Sequence, residues 1–495
     1  MQRGKMTMKK TKYTFWFITG SQHLYGEDIL AQVRSQSSEI VEKLNHVPVS
    51  FPIEWKPIVT NREEVTQVIR EANADENCAG IITWMHTFSP GKIWIEGLSL
   101  LQKPLLHFHT QYERDIPWDT INMDYMNLNQ SAHGDREFGF TVSRLNIDRK
   151  VITGHWSTKD VQHRISAWMG TAVGHAENKK VRVVRFGDNM RNVAVTDGDK
   201  IEAQLKFGWT VDGYGIGDLV HYMNGFSDKE VEHLYQEYEH EYRLTASGTE
   251  QKQRIMEQAR IELGLQAFFD EKNYNAFTTT FEDLHGMPQL PGLAAQRMMA
   301  KGYGFAGEGD WKTAAFLRVI KMITNNKRTS FMEDYTYHLE PGNEMILGSH
   351  MLEVCPTIAH DTPEIQVHPL GIGGKADPAR FVFDGVEGRA VNASLIDIGH
   401  RFRLVISEVE VVRTSLDTPH LPTAKVLWKP KPDLAVSAEA WIHAGGAHHT
   451  VLSYNASVDQ LLDWAEMSGI EAVVINEETT IREFKQRLKW NSRIW

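Results

Sequence analysis

The chain has 495 residues, of which 41% are hydrophobic and 24% charged, and its formal net charge is −11. This length exceeds what one hydrophobic core usually serves, so two or three domains are expected. The negative balance, without a long basic run, argues against nucleic acid or an anionic membrane as a partner.

The two cysteines, Cys78 and Cys355, both stand in apolar surroundings. Two cysteines exclude a disulfide framework, and they indicate a reducing cytoplasm as the location. The start of the chain is basic and then apolar, like a signal peptide, but the apolar run over 13–18 is short and polar residues follow it. We therefore expect a first strand there, and no apolar stretch is long enough to span a membrane.

The first third of the chain alternates strand-like and helix-like segments. A helix is predicted over 27–45, and Asn61, with Glu64 three residues later, predicts the capped start of another helix. Such alternation predicts a parallel sheet covered on both faces. The predicted strands are "YTFWFIT" (13–19), "IEWKPIV" (53–59), "AGIITWMH" (79–86) and "KPLLHFHT" (103–110).

A second alternating unit follows. Within it, Asp310 is predicted to be the N-cap of a helix with one apolar face. Its strands are predicted at "VRVVRFG" (181–187) and "NAFTTTF" (275–281), with helices over 197–207, 227–244 and 250–271. After about residue 328 the segments become strand-like with short turns, which predicts an antiparallel sheet or barrel.

Glu308 stands between Gly307 and Gly309, directly ahead of a helix-forming run. Glycines bring the backbone close to whatever the carboxylate faces, which favours a functional role. The alternative is structural, since a glutamate in the first turn of a helix favours the positive end of the helix dipole.

Further carboxylates and imidazoles stand on apolar segments: Glu333, His350 with Glu353, and the adjacent pair His448 and His449. If the pair lies on an extended segment, its rings point to opposite faces, so at most one is a direct ligand. The spacings match no compact metal motif, and a lone histidine is usually structural. Together these groups could form a nitrogen and oxygen site that suits Mn²⁺, Co²⁺ or Mg²⁺ better than structural zinc.

Two N-terminal stretches, predicted to be loops, carry hydrogen-bonding side chains. "GSQHLYGE" (20–27) follows the first strand, at a carboxyl end where doubly wound folds bind ligands, and "NLNQSAHGDREFG" is the second stretch. Gln22, Tyr25, Gln130 and His133 are typical of polyol binding rather than phosphate binding. The alternative is ordinary turn and capping chemistry.

Eight stretches resemble the bacterial L-arabinose isomerase family. They are "TGSQHLYG", "HTFSPGKIWI", "NQSAHGDREFG", "GFAGEGDWKTAA", "FMEDYTYH", "GSHMLEVCP", "HPLGIGGKADPAR" and "GGAHHT", in this order over essentially the whole chain. The resemblance implies an α/β fold, shared with L-fucose isomerase, of two doubly wound Rossmann-like domains followed by a C-terminal antiparallel β-barrel domain. We accordingly predict domains at 1–175, 176–327 and 328–495.

The resemblance also implies a metal-dependent aldose–ketose isomerase that converts L-arabinose to L-ribulose, with slower conversion of D-galactose to D-tagatose. It implies Mn²⁺, or Co²⁺ as a substitute, held by Glu308, Glu333, His350 and His449. The two glutamates would be the catalytic residues that carry protons. Family members form hexamers with active sites between subunits, so we expect a cytoplasmic homohexamer acting on a small sugar.

Neighbouring residues are expected to complete the site. Asp310, Glu353 and His448 are expected to orient the metal ligands. The expected substrate-binding residues are Gln22, Leu24, Tyr25, Phe88, Gln130, His133, Met190, Phe281 and Ile372.

Three other functions compete with this interpretation. The nearest is an L-fucose isomerase-type enzyme acting on a related aldose. A sugar-binding module would instead predict an export signal and no metal site, and both expectations fit this sequence poorly. A metal-assisted hydrolase with the same four ligands would need a bound water as its nucleophile.

Overall fold

The computed structural model describes residues 13–47, 50–245, 248–413 and 418–495. The chain forms two compact units, and the division along the chain falls between Ala176 and Glu177. The predicted division near 328 falls inside the second unit and stays a prediction. Within the described ranges, no helix is long and apolar enough to cross a membrane.

A five-stranded parallel sheet with helices around it forms the first unit. Its elements are β1 (Thr14–Gly20), α1 (Glu27–His46), β2 (Ile53–Trp55), α2 (Arg62–Ala74), β3 (Cys78–Met85), α3 (Ile95–Ser99), β4 (Leu105–His109), α4 (Met123–Leu128), α5 (Ser131–Arg144), β5 (Lys150–Thr153) and α6 (Lys159–Asn178). The strand order β2-β1-β3-β4-β5 is that of a doubly wound fold. All eight residues of β3 are buried, as expected where helices cover both faces of a sheet.

A four-stranded parallel sheet, in the order β10-β9-β6-β7, opens the second unit. Its elements are β6 (Arg182–Phe186), α7 (Lys200–Phe207), β7 (Thr210–Tyr214), α8 (Ile216–Asn224), α9 (Asp228–Glu241), β8 (Arg243–Leu244), α10 (Thr249–Lys272), β9 (Ala276–Thr278), α11 (Gly292–Ala300), β10 (Gly304–Ala306) and α12 (Trp311–Ile323). The short strand β8 pairs outside this sheet, in parallel with Glu364 and Ile365.

A closed antiparallel barrel follows, in the cyclic order β15-β18-β11-β12-β17-β16. The elements are β11 (Thr329–His338), β12 (Met345–Ser349), β13 (Glu364–Val367), β14 (Ala379–Val382), β15 (Gly388–Asp397), β16 (Phe402–Val412), β17 (Val426–Pro430), α13 (Leu434–Ala444), β18 (His449–Ser453), α14 (Val458–Met467), β19 (Glu471–Ile475) and α15 (Ile481–Ile494). Pairing of β15 with β16 closes the ring. On the other edge of β16, β17 pairs with residues 409–412 and β19 pairs in parallel with residues 403–407.

Helix α12 joins the central sheet to the barrel. Twelve of its residues are buried, because one side packs on β9 and β10 and another on β11, β15 and β18. The loop ahead of α12 therefore lies where the sheet and the barrel meet.

The predicted fold class is confirmed, whereas several local predictions were wrong. The stretch 127–139 is mostly helix α5 rather than a loop, because Phe138 and Val142 form a buried helical stripe. The helix predicted over 227–244 ends at Glu241. The elements that were not predicted include β5, β7, β17, α8, α11 and α13; β7 is only partly buried and lacks a strong apolar pattern.

Candidate metal centre

The loop from β10 to α12 carries Glu308 in a left-handed backbone conformation, with φ of +60°. This conformation costs a non-glycine residue about 1–3 kcal/mol, so surrounding contacts must hold it. A Cβ on Gly307 would lie 2.8 Å from Cε1 of His350, and one on Gly309 would lie 2.6 Å from Cα of Asn189. The flanking glycines are therefore required by close packing around Glu308.

Glu308 lies ahead of the helix rather than in its first turn. Helix α12 begins at Trp311, and Asp310 is its N-cap, as predicted, because the Asp310 carboxylate accepts from the N–H of Thr313. The helix-dipole explanation of Glu308 does not apply, since the carboxylate belongs to the preceding loop.

His449, the first residue of β18, is completely buried. Its Nδ1 lies 3.1 Å from Oδ2 of Asp310, so the carboxylate accepts the Nδ1–H and Nε2 keeps its lone pair. Nε2 is buried without a hydrogen-bond partner in the described part of the chain, and it lies 3.8 Å from Oε2 of Glu308. A buried polar atom of this kind requires an explanation, and a bound cation supplies one.

His350 follows β12 and is oriented in the same way. Its Nδ1 lies 2.6 Å from Oε2 of the buried Glu353. The ring packs between Phe331, at a centroid distance of 4.9 Å, and Phe281, at 6.2 Å and nearly parallel. Because Nδ1 is engaged by Glu353, Nε2 is the nitrogen available to a ligand.

Glu308, His350 and His449 bring potential ligand atoms within 4.8 Å of one another. Glu333, the fourth expected ligand, pairs in register with His449 on the neighbouring strand, which puts the two side chains on one face of the sheet. Glu333 is not one of the three closely grouped side chains, and its role as a ligand stays a prediction.

The three grouped side chains fit a divalent metal ion. Both imidazoles are tied at Nδ1 to a buried carboxylate, the arrangement that orients histidine ligands of metals. Two nitrogens and a carboxylate without thiolate suit Mn²⁺ or Co²⁺. No second group of three or more potential ligands with this spacing occurs among the described residues.

His448 also approaches Glu308, with Nε2 3.6 Å from Oε2. The two neighbouring imidazoles therefore do not point to opposite faces. His448 precedes β18, so the alternation of side chains along the strand does not apply to it. Contact with His448 lowers the pKa of Glu308, and contact with Glu308 raises the pKa of His448. Only His449 of this pair belongs to the grouped ligands.

Three of the expected substrate-binding residues belong to the same unit as these ligands. Phe281 lies against the ring of His350, and the backbone N–H of Met190 donates to the carbonyl of Glu308 at 2.9 Å. Ile372 is 38% exposed, and the Gly373 beside it packs near the carbonyl of Phe281.

The other expected substrate-binding residues all lie in the first unit. The hydroxyl of Tyr25 donates to Oε1 of Gln130 at 3.1 Å, and the rings of Phe88 and His133 are 4.7 Å apart. Gln22 immediately precedes a short 3₁₀ helix, His23–Tyr25, and Leu24 within it is 83% exposed. The substrate roles of these residues stay predictions.

Sequence reasoning missed two buried residues beside the centre, Asn189 and Lys312. The Lys312 ammonium donates to the carbonyls of Val195 and Asp197 at 3.0 and 2.6 Å, and it lies 3.3 Å from Oδ1 of Asp310. The signal for Lys312 was its place in a helical run that is mostly apolar. No sequence signal marked Asn189.

Family models describe three consecutive domains of L-arabinose isomerase, and all three match this chain. The N-terminal domain matches residues 9–180, the central domain residues 182–326 and the C-terminal domain residues 328–471.

Curated relatives match at high identity over nearly full length. The L-arabinose isomerase of Geobacillus stearothermophilus is 62% identical over 487 residues, covering 98% of each chain. That of Bacillus subtilis (strain 168) is 59% identical over 492 residues, covering 99% of each chain. Among solved structures, a periplasmic sugar-binding protein of an ABC transporter from Legionella pneumophila aligns with 63% of this chain and 95% of its own, at 12% identity and a TM-score of 0.12.

Proposed function

The chain belongs to the L-arabinose isomerase family, and we propose that it converts L-arabinose to L-ribulose with a bound divalent metal ion. Family membership makes the protein an isomerase. Metal dependence is supported chiefly by the environment of His449: its Nε2 is buried without a hydrogen-bond partner among the described residues and lies beside Glu308.

Mn²⁺, with Co²⁺ as a substitute, is the proposed metal. Glu308, His350 and His449 would hold it, and Glu333 would be the fourth ligand. Each imidazole gives its Nδ1–H to a carboxylate, so Nε2 is the nitrogen that would face the metal. When bound, the cation supplies Lewis acidity toward the sugar oxygens beside the reacting carbons.

Glu308 and Glu333 are the proposed proton carriers. The aldose becomes a ketose when a proton leaves C2 and enters C1 while the O2 hydroxyl proton moves to O1, by way of an enediol. One carboxylate moves the carbon proton and the other moves the hydroxyl proton. His448 beside Glu308 favours the ionised carboxylate, which is the form that a base requires.

Other properties are proposed from the family resemblance alone. D-Galactose matches L-arabinose at C2–C4 and carries one extra hydroxymethyl group, so slower conversion to D-tagatose is expected. A cytoplasmic homohexamer with active sites between subunits is proposed on the same basis, and sedimentation of the full chain tests its size.

Metal removal tests the proposal directly. Chelation should abolish formation of L-ribulose, and Mn²⁺ should restore it better than Ca²⁺, which prefers more oxygen ligands. L-Arabinose, D-galactose and L-fucose should be assayed in parallel, because fastest turnover of L-fucose would favour the related isomerase instead. Full activity in a preparation shown to be metal-free would contradict metal dependence.

A further inference from the structure

Residues 188–197, here called the 188–197 segment, lie against the loop that carries Glu308. The left-handed conformation of Glu308 is unfavourable by itself and persists only where neighbouring contacts determine it. Two consecutive residues of the segment, Asn189 and Met190, supply hydrogen bonds to this loop.

The segment holds the carbonyls of two consecutive loop residues. The N–H of Met190 donates to the carbonyl of Glu308 at 2.9 Å. The side-chain amide of Asn189 donates to the carbonyl of Gly309 at 3.2 Å and to that of Thr196 at 2.6 Å. Asn189 is 8% exposed, so these bonds are shielded from competing water. One amide therefore fixes both the loop and the fold of the segment itself.

Packing leaves the loop no room to move toward the segment. A Cβ on Gly309 would lie 2.6 Å from Cα of Asn189 and 2.8 Å from the carbonyl oxygen of Asp188. The two backbones therefore lie so close that no side chain fits between them.

The far end of the segment is connected to His449, another of the grouped ligands, through Lys312 and Asp310. Lys312 binds the carbonyls of Val195 and Asp197 and lies beside Asp310, whose carboxylate orients His449. The segment is therefore attached at one end to the Glu308 loop and at the other to the residue that orients His449.

We propose that Asn189 is a positioning residue of the metal centre, which holds Glu308 in its ligating position through the carbonyls of Gly309 and Thr196. This inference rests on the proposed metal-dependent function. Asn189 acts through Glu308, so its loss should weaken metal binding as well as turnover.

The test compares Asn189→Asp with a matched control, Asn275→Asp. The Asn189→Asp change keeps the shape of the side chain and the bond accepted from Arg185, but it removes both amide donors. Asn275 also bridges two backbone groups, accepting from the N–H of Arg182 at 3.0 Å and donating to the carbonyl of Lys180 at 2.8 Å. Free Mn²⁺ is followed by electron paramagnetic resonance during titration of each full-length protein, with Tm measured alongside.

Asn189→Asp should raise the Kd for Mn²⁺ by about 10–100-fold, the usual effect of losing a residue that supports metal ligands. At saturating Mn²⁺, kcat should also fall, whereas Asn275→Asp should lower Tm and leave the Kd unchanged. Asn189→Ala, which introduces no charge, gives the answer if the aspartate variant does not fold.

Unchanged Mn²⁺ affinity in a folded Asn189 variant would overturn the inference, as would equal weakening in the Asn275 control. Failure of the wild-type protein to bind Mn²⁺ is a separate result, because it overturns the proposed function itself.

Discussion

Each histidine of the proposed metal centre has its own buried carboxylate: Asp310 for His449 and Glu353 for His350. Burial raises the pKa of Asp310, but Lys312 and His449 outweigh burial, so the pKa lies well below its usual value. Asp310 therefore remains an acceptor, and the tautomer of His449 stays fixed. Asp310 and Glu353, which are not proposed ligands, thus determine which histidine nitrogen can bind the metal.

Replacement of either proposed proton carrier by glutamine should separate binding from chemistry. Glu308→Gln and Glu333→Gln keep the size of the side chain but remove the base, so each should lower kcat at least about 100-fold. Turnover of L-arabinose is measured with the Mn²⁺ content of each protein. Glu340→Gln, at an exposed position after β11, should leave kcat unchanged. Near-normal turnover in a metal-loaded variant would return that glutamate to a structural role.

At the scale of elements, a buried ion network joins α10 to α11. Glu262 on α10 lies 2.8 Å from Nε of Arg297 on α11 and 2.8 Å from Nζ of Lys301, and it accepts from the hydroxyl of Tyr238 at 2.6 Å. Burial raises the pKa of Glu262, but Arg297 and Lys301 outweigh burial and the pKa falls below its ordinary 4.5. Glu262 is therefore ionised in the folded protein and links the two helices through Arg297 and Lys301.

Glu262→Gln should lower the free energy of unfolding by about 3 kcal/mol, because buried Arg297 loses a partner. Since the folded pKa is depressed, the contribution of Glu262 is full above pH 4.5 and is lost as the pH falls below that value. The difference from wild type should shrink accordingly in denaturant melts at falling pH.

Glu241→Gln is the matched control, because Glu241 meets the same Arg297 but its side chain is 44% exposed. We expect a loss under about 1 kcal/mol for this variant. Equal losses of unfolding free energy in Glu262→Gln and Glu241→Gln would contradict the expectation that the buried ion pair contributes more than the exposed one.

On the scale of the whole molecule, the grouped ligands come from three distant parts of the chain. Glu308 precedes α12, His350 follows β12 and His449 opens β18, so the site exists only when the central sheet and barrel are folded together. A metal that binds this site stabilises the folded state relative to the unfolded state.

Tm should therefore rise with Mn²⁺ concentration, with a stabilisation of about 2.7 kcal/mol when free Mn²⁺ is 100 times its Kd. His449→Ala should remove most of this dependence, because it deletes a ligand. Calorimetric scans with and without Mn²⁺ check the effect. An equal rise in wild type and His449→Ala would indicate metal binding elsewhere.

The sequence by itself determined the family, the fold class and the local start of several elements. Asn61 and Asp310 cap their helices as predicted, since capping depends on residues three positions apart. The long apolar strands were also evident, because burial on both faces leaves a continuous apolar run, as in β3.

Only the tertiary structure decided which of the candidate groups meet. It selected Glu308, His350 and His449, oriented both rings through carboxylates, and showed that Asn189 and Lys312 hold the surrounding segments. It also showed Glu308 in a left-handed conformation. Local pattern cannot supply these facts, because side-chain amides, ammonium groups and imidazoles acquire partners from remote segments, and strand register and backbone packing set those partners.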